Sequence, residues 1–140
     1  MAARTVEYLH LPPGSTPPPL PGAPFAALVV IEAAVAEPWR WEVSRWLVES
    51  GCRYMLAWGK GCSDWDDSVD EANDEAHAYD EIPEEAFVVT TWHDDEELEE
   101  VFWFAKHCAA HPTLALHRAV IVHIADAARE QALREAYEAA

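Results

Sequence analysis

Short, nearly unbroken apolar runs alternate along the chain with longer stretches in which apolar residues recur every three or four positions. The runs at 27–31, 54–58, 87–92 and 119–124 are rich in β-branched and aromatic residues. Their continuity predicts strands covered on both faces. Residues 5–11 alternate well enough for one short edge strand ahead of them.

Each later run leads into a helical pattern. The first helix opens around Pro38, stops at Gly51, and places Trp39, Val43, Trp46, Leu47 and Ser50 on one face. The second opens at Ser63, with Asp66 three residues on in a capping-box relation. Its stripe is Trp65, Val69, Ala72, Ala76 and Tyr79. The third opens at Asp94 with Glu97 in the same relation, and buries Leu98, Val101, Phe102, Ala105 and Cys108. The fourth opens near Asp126 and uses Leu133, Ala136 and Tyr137. Strand followed by helix four times predicts a three-layer α/β sandwich with a mainly parallel, Rossmann-like or flavodoxin-like sheet of four to five strands.

Seven of the ten prolines fall within residues 12–24. Each ring restricts φ and removes a backbone donor, so this stretch reads as an extended connector strapped over the domain. The organisation expected is therefore a strand and Pro-rich segment over 1–24, then one α/β domain over 25–140. No repeat is evident.

The 140 residues, 51% of them hydrophobic, suffice for one packed domain. The net charge of −17 disfavours direct nucleic-acid binding and anionic membrane surfaces. The longest apolar run, residues 25–36, is interrupted by Glu32 and is too short to span a bilayer. Three cysteines without paired spacing, and no export pattern, suit reduced thiols and a cytoplasmic location.

The charge is not spread evenly. Residues 1–60 and 101–140 each balance to zero, while residues 61–100 hold 17 acids and no Lys or Arg. On the second helix Asp66, Asp67, Asp70, Glu71, Asp74 and Glu75 stack as four like-charge i,i+4 pairs, each costing about 0.2–0.5 kcal/mol. Of these, Asp66, Asp67, Glu71 and Asp74 lie off the apolar stripe and are expected to face solvent. These six acids are the candidate partner-binding surface, and a basic protein is the partner that such charge selects. A divalent cation is a further ligand for the same charge.

The ends of the strands carry the other candidates, because ligands of open parallel sheets bind there. His93, Asp94, His123 and Asp126 stand at or just past strand ends and are the candidate metal or acid–base set. Gly59-Lys60-Gly61 precedes a helix, but it lacks the dinucleotide and P-loop patterns and is followed by Asp64, Asp66 and Asp67. Cys62 in this turn reads as a packed thiol, since neighbouring carboxylates disfavour a thiolate. Trp41 and Trp103 fall beside the core stripes and would be interface anchors if exposed.

The leading expectation is a non-enzymatic acidic module that docks a basic protein, as an immunity-type inhibitor or a mimic of nucleic-acid charge would. The alternative is a small metal-dependent hydrolase or transferase built on the strand-end His and Asp residues. No cofactor is indicated beyond that metal.

Overall fold

The computed structural model describes residues 4–140. Five strands, β1 (Thr5–His10), β2 (Phe25–Ile31), β3 (Cys52–Gly59), β4 (Val89–His93) and β5 (Arg118–Ile124), form one sheet in the order β1-β5-β2-β3-β4. Every neighbouring pair is parallel. Helices α1 (Glu37–Ser50) and α2 (Cys62–Ala76) cover one face. Helices α3 (Leu98–His107) and α4 (Glu130–Ala139) cover the other. The result is the three-layer α/β sandwich expected from the strand–helix alternation. Its central strand β2 is buried at all seven positions, which is why that run reads as continuous apolar sequence.

The first strand occupies the sheet edge beside β5, as its weak alternation suggests. The Pro-rich stretch that follows runs over α1, where two indoles pin it. Trp39 Nε1 donates to the Ser15 carbonyl at 2.7 Å, and Trp46 Nε1 donates to the Pro18 carbonyl at 2.8 Å. These two tryptophans therefore serve the strap with their polar edges and the core with their rings. At its C-terminus α1 is closed by Gly51 in the left-handed region, whose N–H reaches the Leu47 and Val48 carbonyls.

Several helix boundaries differ from the sequence reading. Helix α2 starts at Cys62 on a left-handed Gly61, with no side-chain cap, so Ser63 and Asp66 form no capping box. The helix ends at Ala76. Tyr79, placed on the stripe by periodicity, instead has φ 61° and is 63% exposed. Helix α3 begins four residues later than Asp94, because residues 94–97 are taken up by a loop. Cys108, expected in the core, lies just past that helix and is exposed. In α4 the first turn comes at Glu130, not Asp126.

Asn73 explains how the long loop after α2 is held. Buried on α2, it donates from Nδ2 to the Ala86 carbonyl at 3.1 Å, and its Oδ1 accepts the Val88 N–H at 2.9 Å. Both backbone groups would be orphaned by Asn73→Ala. Urea unfolding of that variant is expected to show a loss of about 2 kcal/mol.

Candidate functional site

The sheet order creates one topological switch point. From β2 the chain steps outward to β3 and β4, then returns through α3 to β5 on the other side of β2. The carboxyl ends of β2 and β5 therefore flank the position where an open α/β sheet ordinarily binds ligands.

A polar relay sits there. His123, fully buried on β5, is bonded at both ring nitrogens: Tyr8 Oη is 2.6 Å from Nδ1 and Glu32 Oε1 is 2.6 Å from Nε2. Arg129 clamps Glu32 through Nη2 at 2.9 Å to each carboxylate oxygen, and the Arg129 backbone N–H donates to Tyr8 Oη at 3.0 Å. One protonation state satisfies every member. Tyr8 donates to Nδ1 of a neutral His123, whose Nε2–H donates to an ionised Glu32.

Burial pushes the His123 pKa down, against the opposing pull of Glu32. Burial pushes the Glu32 carboxyl up, but hydrogen bonds from His123 and Arg129 outweigh it and hold the group below its ordinary value. The relay thus joins β1, β5, the end of β2 and the start of α4 by polar bonds.

The strand-end metal set is not brought together. His93 and His123 share a face, but β2 and β3 stand between their strands, so about three strand spacings, or about 14 Å, separate them. The nitrogens of His93 are also engaged, Nε2 with Thr91 Oγ1 at 2.9 Å and Nδ1 with the Glu96 carboxylate. Asp94 and Asp126 are exposed. Among the described residues no three His, Cys, Asp or Glu side chains converge as a metal-holding group. Sequence order places both histidines at strand ends, but the distance between strands is a property of the sheet.

The acidic helix is closer to its expected form, with one correction. Asp67, Asp70, Glu71, Asp74 and Glu75 are exposed, whereas Asp66 is buried against β4. Position 66 follows Trp65 around the helix and falls on the side that meets β4, an edge that a one-helix stripe does not anticipate. Of the 17 acids in residues 61–100, Glu75 and Glu96 alone have an ion-pair partner among the described residues, Arg45 and His93 respectively.

Few cations are left for the others. Eight of its nine Lys and Arg side chains are already bonded: Arg4, Arg53 and Lys106 to backbone carbonyls, Arg40 to Ser68, and Arg45, Arg118, Arg129 and Arg134 to carboxylates.

Exposed aromatics lie in the same segment. Among the described residues Tyr79, Phe87, Trp92 and Trp103 are the large hydrophobic side chains left open, and the first three fall within residues 61–100. Trp92 is 51% exposed on β4, the outer strand of the sheet. Sequence reasoning singled out Trp41 and Trp103 instead. Trp103 is indeed open, at 52%, while Trp41 is half-buried, with Arg45 over its ring and Glu37 accepting from Nε1. Trp92 was missed because its run reads as a strand covered on both faces, whereas β4 is an edge.

A cavity of about 670 Å³ opens at the opposite end of the sheet, between the C-terminal ends of α3 and α4. Val6, Ala109, Leu114, Leu116 and Tyr137 make its walls mainly apolar. His111 beside it is a structural group, its Nε2 donating to the Phe87 carbonyl and its Nδ1 accepting the Leu114 N–H.

Residues 6–140 match the family described as a domain of unknown function, DUF7684, and the chain belongs to that family. No curated protein and no solved structure matches it.

Proposed function

We propose that this member of the DUF7684 family is a non-enzymatic binding module whose α2–β4 face docks a basic protein. The observation that carries the reading is the exposure of Trp92 on the edge strand, within a segment whose carboxylates mostly lack ion partners. Unpaired charge steers an oppositely charged surface and sets its register. A half-exposed tryptophan supplies the apolar anchor that charge alone cannot. The six acids of the face act unequally: Asp67, Glu71 and Asp74 are outward steering charges, Glu75 is exposed but paired with Arg45, Asp70 lies at the boundary with β4, and buried Asp66 is not a steering charge. An inhibitor of a basic toxin and a mimic of nucleic-acid charge would both use such a face.

Asp67→Lys separates this role from simple solubility. A lysine there meets Asp70 and Glu71 three and four residues on, so the isolated domain is expected to gain about 0.5 kcal/mol in equilibrium unfolding. Affinity capture from the native cell extract at physiological ionic strength supplies the second readout. A basic partner should be retained by the wild-type chain, released as salt rises, and lost with both Trp92→Ala and Asp67→Lys. Partners that are acidic, or that bind these two variants as well as the wild type, would refute the reading.

A further inference from the structure

We propose that Asp66, Asp70 and Thr90 form a site for a hard divalent cation of the Mg²⁺ or Ca²⁺ class, where α2 packs against β4. A row of acids on a helix would not by itself make a site. What singles out this one is Asp66, 6% exposed, whose Oδ1 is shut away from solvent with no hydrogen-bond partner. A carboxylate oxygen in that condition has lost its water without a replacement, which folded proteins rarely tolerate.

The surroundings supply too few protons. Asp66 and Asp70 lie one helical turn apart on one face of α2. Thr90 Oγ1 donates its one proton to Asp70 Oδ1 at 2.7 Å, and it lowers the pKa of the Asp66 carboxyl as well, so it stands beside both. That proton leaves Asp66 Oδ1 without a partner. The other charges that act on the pair are Asp67 and Asp74, both negative, and among the described residues no Lys, Arg or His forms an ion pair with either carboxyl. Burial pushes both carboxyls up against the pull of Thr90, and like charges add to it, Asp67 at Asp66 and Asp66, Asp67 and Asp74 at Asp70.

A cation meets this deficit directly. The donors are all oxygen, two anionic and one neutral, which suits Mg²⁺ or Ca²⁺ and not a thiolate- or imidazole-seeking metal. Mg²⁺ in particular keeps several waters and is commonly held by one or two carboxylates, so the absence of a third acid is no obstacle. Asp70 is exposed, which leaves a side open for those waters and for exchange. The inference does not rest on the partner reading, since none of the three proposed ligands is among the outward steering charges.

Isothermal titration of the full chain with MgCl₂ and with CaCl₂, at about 0.15 M NaCl to screen diffuse attraction, tests the site. One saturable site per chain is expected for at least one of the two ions. Asp66→Asn and Asp70→Asn should abolish it, Thr90→Val should weaken it about tenfold, and Glu71→Gln should leave it intact. The bound ion should raise the thermal midpoint of the wild type and not that of Asp66→Asn. In EDTA, Asp66→Asn should be at least as stable as the wild type, because it removes a buried charge. If Asp66→Asn fails to fold, Asp70→Asn and Thr90→Val carry the same comparison. Several weak sites that persist in the variants and vanish with salt would overturn the proposal. So would an absence of binding of both ions, and an infrared carbonyl band for a protonated Asp66 would then mean that a proton fills the place assigned to the metal.

Discussion

Gly59→Ala is expected to destabilise the domain by about 3 kcal/mol or more, enough to unfold a large share of a marginally stable protein. Gly59 ends β3 with φ 106°, and a Cβ added there would lie 2.0 Å from the Ile31 carbonyl oxygen and 2.9 Å from its carbon. Neither neighbour is a flexible side chain. That oxygen also accepts the Lys60 N–H at 2.9 Å, so it cannot swing away without breaking the link between β2 and the turn into α2.

Gly61 provides the internal control. It too has positive φ, 66°, but a Cβ there meets nothing closer than an Asp64 carboxylate oxygen at 3.9 Å. Gly61→Ala should cost only the left-handed backbone penalty, about 1–2 kcal/mol. Guanidinium unfolding of the two variants side by side separates steric collision from backbone preference. Equal losses would mean that the close approach of Gly59 to β2 is wrong.

Removing the buried imidazole by His123→Ala is expected to cost about 3 kcal/mol near neutral pH. It opens a cavity and deprives Tyr8 and Glu32 of their shared partner. The pH dependence carries more information than the loss itself. His123 has a folded pKa below its ordinary 6.5, so on acidification the unfolded chain takes up this proton before the folded one does. Stability from this group is therefore full above pH 6.5 and is lost as pH falls from there toward the folded value. Glu32, held below its ordinary 4.5, adds a second loss of the same sign as pH falls through that value.

Denaturant midpoints measured between pH 7.5 and 5 should fall for the wild type and fall less for His123→Ala. Parallel curves would show that His123 titrates alike in both states, and the relay as drawn would not exist. Glu32→Gln is the milder companion. It keeps a hydrogen-bonding group beside His123 and loses the half-exposed pair with Arg129, for about 1 kcal/mol.

Local pattern was enough for the number, type and order of the main elements. A seven-residue apolar strand between turn signals, a proline in a first helical turn and a glycine after a last one are statements about single segments, and single segments obey them. The concentration of charge in residues 61–100 is likewise a property of the string of residues, and folding leaves most of it on the surface. What failed were inferences about which side chains meet. The spacing of Ser63 and Asp66 fits a capping box, yet α2 starts one residue earlier, at Cys62 on Gly61, and Asp66 is buried. His93 and His123 occupy matching places at strand ends, yet two strands lie between them.

The same limit hid how the most informative groups combine. Tyr8, Glu32, His123 and Arg129 are drawn from residues 8 to 129 and meet only because β5 is inserted between β1 and β2. Trp92 is open only because its strand is the last in the sheet. Periodicity reports which side of one element is apolar, a matter of bonds along the chain. Which element arrives on that side, and which strand is left at the edge, depends on long-range pairing order. That order is selected by the packing of the whole sheet and leaves no mark of fixed spacing in the chain.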